Sequence, residues 1–366
     1  MSKGEFDVIV LGAGPAGAMA TWHLAGSLRV LLIERERLPR EKLCSGVLTP
    51  KAALGLERVI DLESVSLGTS SETWIGARGR GVLVRHDPPL RFVSRPAMDH
   101  ALVKAAVGRG GVEVLEATRA KGVDPLTGRV TTADGRIFEA PVVIGADGAN
   151  GVTRRVGRAY GPEGFGIEVR LVDPRPAGGR PSIVDFGLPL GYFWAFPKAD
   201  GTVAVGGATA LKRLPDLREH VAAFAKARLE LDLPARIPGH RLPFGASRGV
   251  RGRLILAGDA AGLMDPAIAE GIPYALWSGE MAARAAFSHL TTGVPLEAYE
   301  GWVRGEWARF LGLQRGLSRI GAPAQTIFSR ALIIPPVRRA IWHHFIERVP
   351  PGMIRGGRPL RETAGR

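Results

Sequence analysis

The stretch Asp7-Val8-Ile9-Val10-Leu11-Gly12-Ala13-Gly14-Pro15-Ala16-Gly17 decides the fold. Its first five residues form a short β-branched apolar run, as expected of a parallel strand buried on both faces. Gly12, Gly14 and Gly17 then make GxGxxG where strand gives way to helix. The first glycine of this motif allows a tight turn, the second lets the backbone approach a pyrophosphate, and the third lets helix and strand pack closely. Ala16 lies in the same turn, and the helix N-terminus offers N–H groups to phosphate. A small-residue helix runs to about Ala25, and Arg29-Val30-Leu31-Leu32-Ile33 is a second strand ending at Glu34, with Arg35 beyond it. Glu34 follows Gly12 by 22 residues, where a carboxylate accepts from an adenosine ribose and repels a 2′-phosphate. The stretch predicts a dinucleotide site, without choosing between nicotinamide and flavin.

Farther along, Pro96–Gly108 has helical spacing, and strands Val112–Leu115 and Val142–Ile144 bracket a hairpin turned at Asp134-Gly135. Arg253–Leu256 is another buried strand, followed by Gly258-Asp259 and a long Ala-rich helix to about His289. Between these pieces lie strand-like stretches, Thr73-Trp74-Ile75 and Gly81–Val84, and a strand-and-turn region from 160 to 244 with one helix around Asp216–Leu229. The expected fold class is therefore α/β. A Rossmann-like dinucleotide-binding domain is assembled from discontinuous segments at 1–50, 95–155 and 245–290. A β-sheet-rich substrate domain takes 51–94 and 156–244, and 291–366 forms a helical basic C-terminal region.

Composition narrows the function classes. The chain has 366 residues, 45% hydrophobic and 23% charged, enough for two or three joined domains with a large core. Its 49 Gly and 27 Pro fall between periodic apolar runs, which excludes a collagen-like or disordered chain. A lone cysteine, Cys44, excludes internal disulfides and multi-cysteine metal sites. The eight His show no HxxxH pair and no carboxylates at ligand spacing, so no metal is expected. No P-loop is present. No signal peptide and no apolar run long enough to span a bilayer are found, which predicts a cytoplasmic protein, soluble or peripheral to a membrane.

The later motifs choose the dinucleotide. In Arg253-Leu254-Ile255-Leu256-Ala257-Gly258-Asp259-Ala260-Ala261-Gly262, an acid follows a strand and precedes a helix. Such an Asp accepts from a ribityl hydroxyl, or serves as a helix N-cap. With the N-terminal fingerprint, this resembles the FAD-dependent oxidoreductases of the p-hydroxybenzoate hydroxylase-like superfamily. Ile144-Gly145-Ala146-Asp147-Gly148 is similar to their Asp-Gly motif; Arg154 keeps its arginine, while Gly151 stands at its usual Ser. Arg95, at the head of Arg95-Pro96-Ala97-Met98-Asp99, matches the arginine ahead of their flavin-side helix, with a salt bridge to Asp99 as the alternative role.

Two further motifs resemble the geranylgeranyl reductases. Pro39-Arg40-Glu41-Lys42-Leu43-Cys44-Ser45-Gly46 is similar to their Pro-x-x-Lys-x-Cys-Gly segment, with Ser45 in place of Gly. Tyr192-Phe193-Trp194-Ala195-Phe196-Pro197 matches their Tyr-x-Trp-x-Phe-Pro motif, and Gly206-Gly207 follows at about the family's distance in place of its Gly-x-Gly. Asp265–Ile272 resembles the stretch after the Gly-Asp motif, with Ala269 where Gly is usual, and puts Gly271 and Ile272 at the cofactor. The resemblance runs from about residue 5 to residue 285. It implies FAD as cofactor, and it places Lys42 and Cys44 near the flavin.

Cys44 is either a small buried hydrophobe or, as the resemblance implies, a catalytic group that orients substrate or relays a proton. Tyr192, Trp194 and Phe196 alternate along a strand and so share one face. That face is either core or, with Pro197, the wall of an apolar substrate pocket. The implied activity is reduction of carbon–carbon double bonds in a prenyl chain or related lipid, with electrons from an external donor such as NAD(P)H or ferredoxin. The alternatives are a flavin monooxygenase or halogenase on the same scaffold, or a flavin-bearing lipid-binding protein without turnover.

The net charge is +14, and residues 303–366 hold 12 Arg against three Glu. There Ile341-Trp342, Phe345-Ile346 and Met353-Ile354 interleave with Arg338, Arg339, Arg348 and Arg355. The pattern reads as an amphipathic segment for an anionic membrane surface, or as a packed helix with a solvated basic face. No nucleic-acid module accompanies the charge, so no nucleic-acid partner is expected.

Overall fold

The computed structural model describes residues 5–77, 79–175, 180–210, 216–245, 248–310, 312, 331 and 334–349. The apolar run Val8–Leu11 forms the middle of a six-stranded sheet. Val142–Gly145 and Val30–Ile33 flank it in parallel, both registered against Val8. Leu254–Leu256 and Val112–Leu115 extend the sheet in parallel, and Val250–Arg251 closes one edge antiparallel. Val8–Leu11 and Val30–Ile33 are buried along their whole length, which is why they read as unbroken apolar runs rather than alternations. Helix Pro15–Leu24 packs on helices Arg95–Val107 and Ile272–Thr292. The close approach depends on Gly12, at φ +97°, and on Gly17, where a Cβ would lie 1.8 Å from the Gly12 carbonyl oxygen.

A second sheet of eight strands runs in the order Gly239–Pro243, Glu163–Val172, Thr202–Thr209, Gly191–Pro197, Ser182–Asp185, Ser66–Ala77, Arg80–Val93, Val47–Leu48. All pairings are antiparallel except Ser182–Asp185 with Ser66–Ala77. Period-2 alternation divides Gly191–Pro197 between two environments. Phe193 and Ala195 join Val203, Val205 and helix Leu217–Leu229 in a core, with Phe193 stacked on Phe224 at 4.9 Å. Tyr192, Trp194 and Phe196 face the first sheet's domain across a cavity.

One sequence expectation changes. The long helix begins at Ile272, not after Asp259. Gly258–Ala260 is a single 3₁₀ turn, the Asp265 carboxylate accepts from the N–H groups of Ala267 and Ile268, and Ala269 adopts φ +49°. These local features turn the chain before Gly271, so Gly271, not Asp259, caps the helix. Helix Pro50–Leu56 leads to one long hairpin, Ser66–Ala77 with Arg80–Val93, which contains both strand-like stretches. Register shifts near Ser66 and Ser70 break its alternation. The Asp134-Gly135 turn belongs to a three-stranded sheet, Ala120–Asp124, Arg129–Thr132 and Ile137–Glu139.

Helix Pro335–Trp342 lies on the surface with none of its residues buried, and Trp342 stacks on His86 of the hairpin at 4.4 Å. Pro350-Pro351, Met353, Ile354 and Arg355 lie outside the described residues. Among the described residues, no helix is long and apolar enough to cross a membrane.

Candidate active site

The C-terminal ends of the parallel strands open onto a cavity of about 980 Å³, walled on its far side by the second sheet. The strand order reverses at Val8–Leu11, the switch point where open α/β sheets bind ligands. Of the cofactor and pocket residues expected from sequence, all but Gly17 and Pro197 border the cavity. Gly17 is in the helix–strand contact behind it.

At one end, Glu34 is nearly buried. It accepts from Ala13 N at 2.8 Å and Glu36 N at 3.2 Å, and it pairs with Arg40 Nε at 3.2 Å. A carboxylate offers about four acceptor positions, so capacity remains for a ribose hydroxyl. Gly14 tests whether a dinucleotide fits. Its φ of −77° suits any residue, and a Cβ there would meet only Arg40 Nη2, at 3.6 Å. No protein atom demands glycine at 14, and its absent side chain leaves the backbone there open to a phosphate. The Asp259 carboxylate borders the cavity and has no hydrogen-bond partner among the described residues, as a ribityl hydroxyl would require. Arg154 holds the Asp259 turn from behind, donating to the carbonyl oxygens of Asp259 and Ala260 at 3.5 and 3.4 Å. Gly271 and Ile272 present the N-terminus of the 21-residue helix to the same space.

Asp147 borders the cavity and also ties down the turn beside it. Its carboxylate accepts from the Thr153 N–H at 3.1 Å and from the Thr153 hydroxyl, capping the short helix Val152–Val156. A Cβ at Gly151 would lie 2.0 Å from that carboxylate, so the glycine leaves room for this placement of the Asp147 side chain. Arg95 makes the salt bridge to Asp99, donating from Nε at 3.1 Å and Nη2 at 3.0 Å, and still borders the cavity. Burial works against its charge, but Asp99 and Cys44 outweigh burial and hold its pKa above the ordinary value. Arg40 bridges Glu34 to Asp99, so an ion network crosses the cavity floor.

Cys44 is half-buried, and its Sγ accepts from Gly46 N at 3.4 Å. Lys42 Nζ lies 2.9 Å from His240 Nε2. Burial lowers both pKa values, and the Lys42 charge lowers that of His240 further. On the far wall, Tyr192 donates from its hydroxyl to the Ile268 carbonyl oxygen, which joins the second sheet to the Asp265–Gly271 loop. That loop is pinned by buried Lys51, whose Nζ pairs with Glu270 Oε2 at 2.6 Å, and by Tyr274, which donates to Asp265 at 2.9 Å. Trp194 Nε1 donates to Glu168 at 2.7 Å, and Lys198 Nζ donates to the Ser45 carbonyl oxygen at 2.6 Å. Sequence reading missed Arg40, Glu168, Lys198 and His240. Only Glu168 left a signal: Gly164, Gly166 and Glu168 alternate on a strand, an acid among residues that face inward.

The sequence model of the FAD binding domain family matches residues 5–171. The menaquinone reductase of Mycolicibacterium smegmatis is 30% identical over 85% of this chain and 83% of its own. The geranylgeranyl diphosphate reductase of Rhodobacter capsulatus is 31% identical over 80% and 78%. A geranylgeranyl bacteriochlorophyll reductase-like protein from Thermoplasma acidophilum superposes with a TM-score of 0.76 at 21% identity, covering 93% of this chain and 97% of that one. Fold, cradle and matches define an FAD-dependent oxidoreductase. Within that class, the chain belongs to the geranylgeranyl reductase family.

Proposed function

We propose that this enzyme reduces carbon–carbon double bonds in the prenyl chain of an isoprenoid lipid. One observation carries the reading. Tyr192, Trp194 and Phe196 line the cavity opposite the residues suited to hold FAD, a pocket wall that accepts an extended apolar chain. FAD, reduced by an external donor, supplies a hydride there. The chain's own residues bind and orient. Gly14, Glu34, Asp259 and the helix N-terminus at Gly271 hold the dinucleotide, and Lys198, through Ser45, sets the Cys44 loop against the aromatic wall. Adding a polyprenyl lipid without oxygen to the dithionite-reduced protein should restore the oxidised flavin spectrum. Consumption of oxygen with formation of a hydroxylated or halogenated product would favour the monooxygenase or halogenase reading instead.

The lipid is presented at an anionic membrane surface through the basic C-terminal region. Support comes from helix Pro335–Trp342, which keeps Arg339 exposed and buries no residue, and from the Arg excess that continues to residue 366.

A further inference from the structure

Alkene reduction needs a proton as well as a hydride, and the cavity holds few acids that can give one. Glu34, Glu36 and Glu41 lie at the ribose end, Asp147 is engaged by Thr153, and Asp259 belongs to the cofactor cradle. Glu168 is the acid on the second-sheet wall, 7% exposed and bordering the cavity. Its place is built. Glu168 and Trp194 sit on strands separated by Thr202–Thr209, and both register with Gly206. A Cβ at Gly206 would lie 2.4 Å from Trp194 Cζ2, so the missing side chain is what lets the indole cross the strand and bond to Glu168 Oε2. Oε1 has no hydrogen-bond partner among the described residues, and it is not among the buried polar atoms that lack one, so it is open to the cavity.

Resting on the prenyl-reductase reading, we propose that Glu168 is the catalytic acid that protonates the substrate alkene. The π bond is replaced by two C–H bonds: one carbon takes the hydride given up by reduced FAD, and the other takes the proton from Glu168. The substrate gains two electrons, the flavin loses two, and Glu168 is left as a carboxylate that water reprotonates. Burial pushes the Glu168 carboxyl up to about 7, against the opposing pull of Trp194 and Lys198, so a protonated fraction exists near neutrality. The titratable neighbours are Lys198, lowered by burial to about 8, and Tyr192, whose hydroxyl burial keeps protonated, with Cys44 acting on both.

Two readouts test Glu168→Gln and Glu168→Asp in the FAD-loaded protein. First, the indole N–H resonance of Trp194, assigned with Trp194→Phe, should shift with a midpoint near pH 7 in the wild type and stay flat in E168Q. Second, anaerobic reoxidation of the reduced flavin by a polyprenyl lipid should slow by roughly 100-fold in E168Q, the usual scale of general-acid catalysis, and recover in part in E168D. Reoxidation of E168Q at the wild-type rate, or a Trp194 resonance that does not titrate in the wild type, overturns the proposal. Wild-type protein inert to every polyprenyl lipid is a different pattern, and it overturns the prenyl reading together with this one.

Discussion

Gly14→Ala and Gly17→Ala separate what the cofactor demands of the glycine motif from what the fold demands. At Gly17 a Cβ falls 1.8 Å from the Gly12 carbonyl oxygen and 3.3 Å from Ala146 Cβ. The first distance is about half of an ordinary ~3.5 Å contact. The oxygen cannot yield easily, because the adjoining Gly12 N–H is bonded to the Ile33 carbonyl oxygen at 2.8 Å. Overpacking of this kind costs about 3 kcal/mol or more, against about 1 kcal/mol gained from alanine's better helix propensity. At Gly14 the backbone conformation suits alanine and the nearest atom is 3.6 Å away, so urea unfolding of the apoprotein should move by less than about 0.5 kcal/mol. The added methyl stands where the pyrophosphate must approach, and FAD affinity should fall at least ~100-fold, about 2.7 kcal/mol. Urea melts of both apoproteins and flavin-fluorescence titrations read the two quantities separately. G14A protein that keeps wild-type FAD affinity would refute the placement of the cofactor.

Lys51→Met leaves Glu270 buried without its cation and should cost about 3–5 kcal/mol in urea unfolding, much of it regained in K51M/E270Q. Gly206→Ala drives a methyl into the Trp194 indole and should break its bond to Glu168, with a loss of about 2 kcal/mol and an altered Trp194 indole resonance. The pKa of Glu168 is raised from 4.5 to about 7, so its contribution to stability is full below pH 4.5 and is lost as pH rises through 7. The stability of wild type relative to E168Q should therefore fall by on the order of 3 kcal/mol across that window. Replacing Arg338, Arg339, Arg355 and Arg358 by Gln should weaken binding to anionic vesicles by about 1 kcal/mol per charge and leave FAD in place; unchanged vesicle binding would mean a solvated basic face.

The cradle was legible in sequence because its signals are local. Gly12 to Gly17 and the strands on either side occupy one short βαβ unit, where turn, helix start and buried strand are written side by side. Tyr192, Trp194 and Phe196 were legible as a row for the same reason, although only the fold decides that the row faces a cavity. Glu168 was not legible as a site residue. Its partner Trp194 is 26 residues away, and the two meet only because a third strand, with glycine at 206, lies between them. Asp147 was legible only in part: the motif marks it for the cofactor site, whereas its bond to Thr153 depends on the fold. The helix after Asp259 was placed too early because Ala-rich composition reads as helix, while the turn built by the Asp265 side chain and the positive φ of Ala269 depends on geometry.

The central claim is that electrons leave the flavin for a carbon–carbon double bond. The most direct measurement is mass spectrometry of a polyprenyl lipid after a single anaerobic turnover with reduced enzyme. The expected product has gained two hydrogens and lost one double bond for each flavin reoxidised. Unchanged lipid beside a reoxidised flavin, or a product that carries oxygen or halogen when air is admitted, would contradict it.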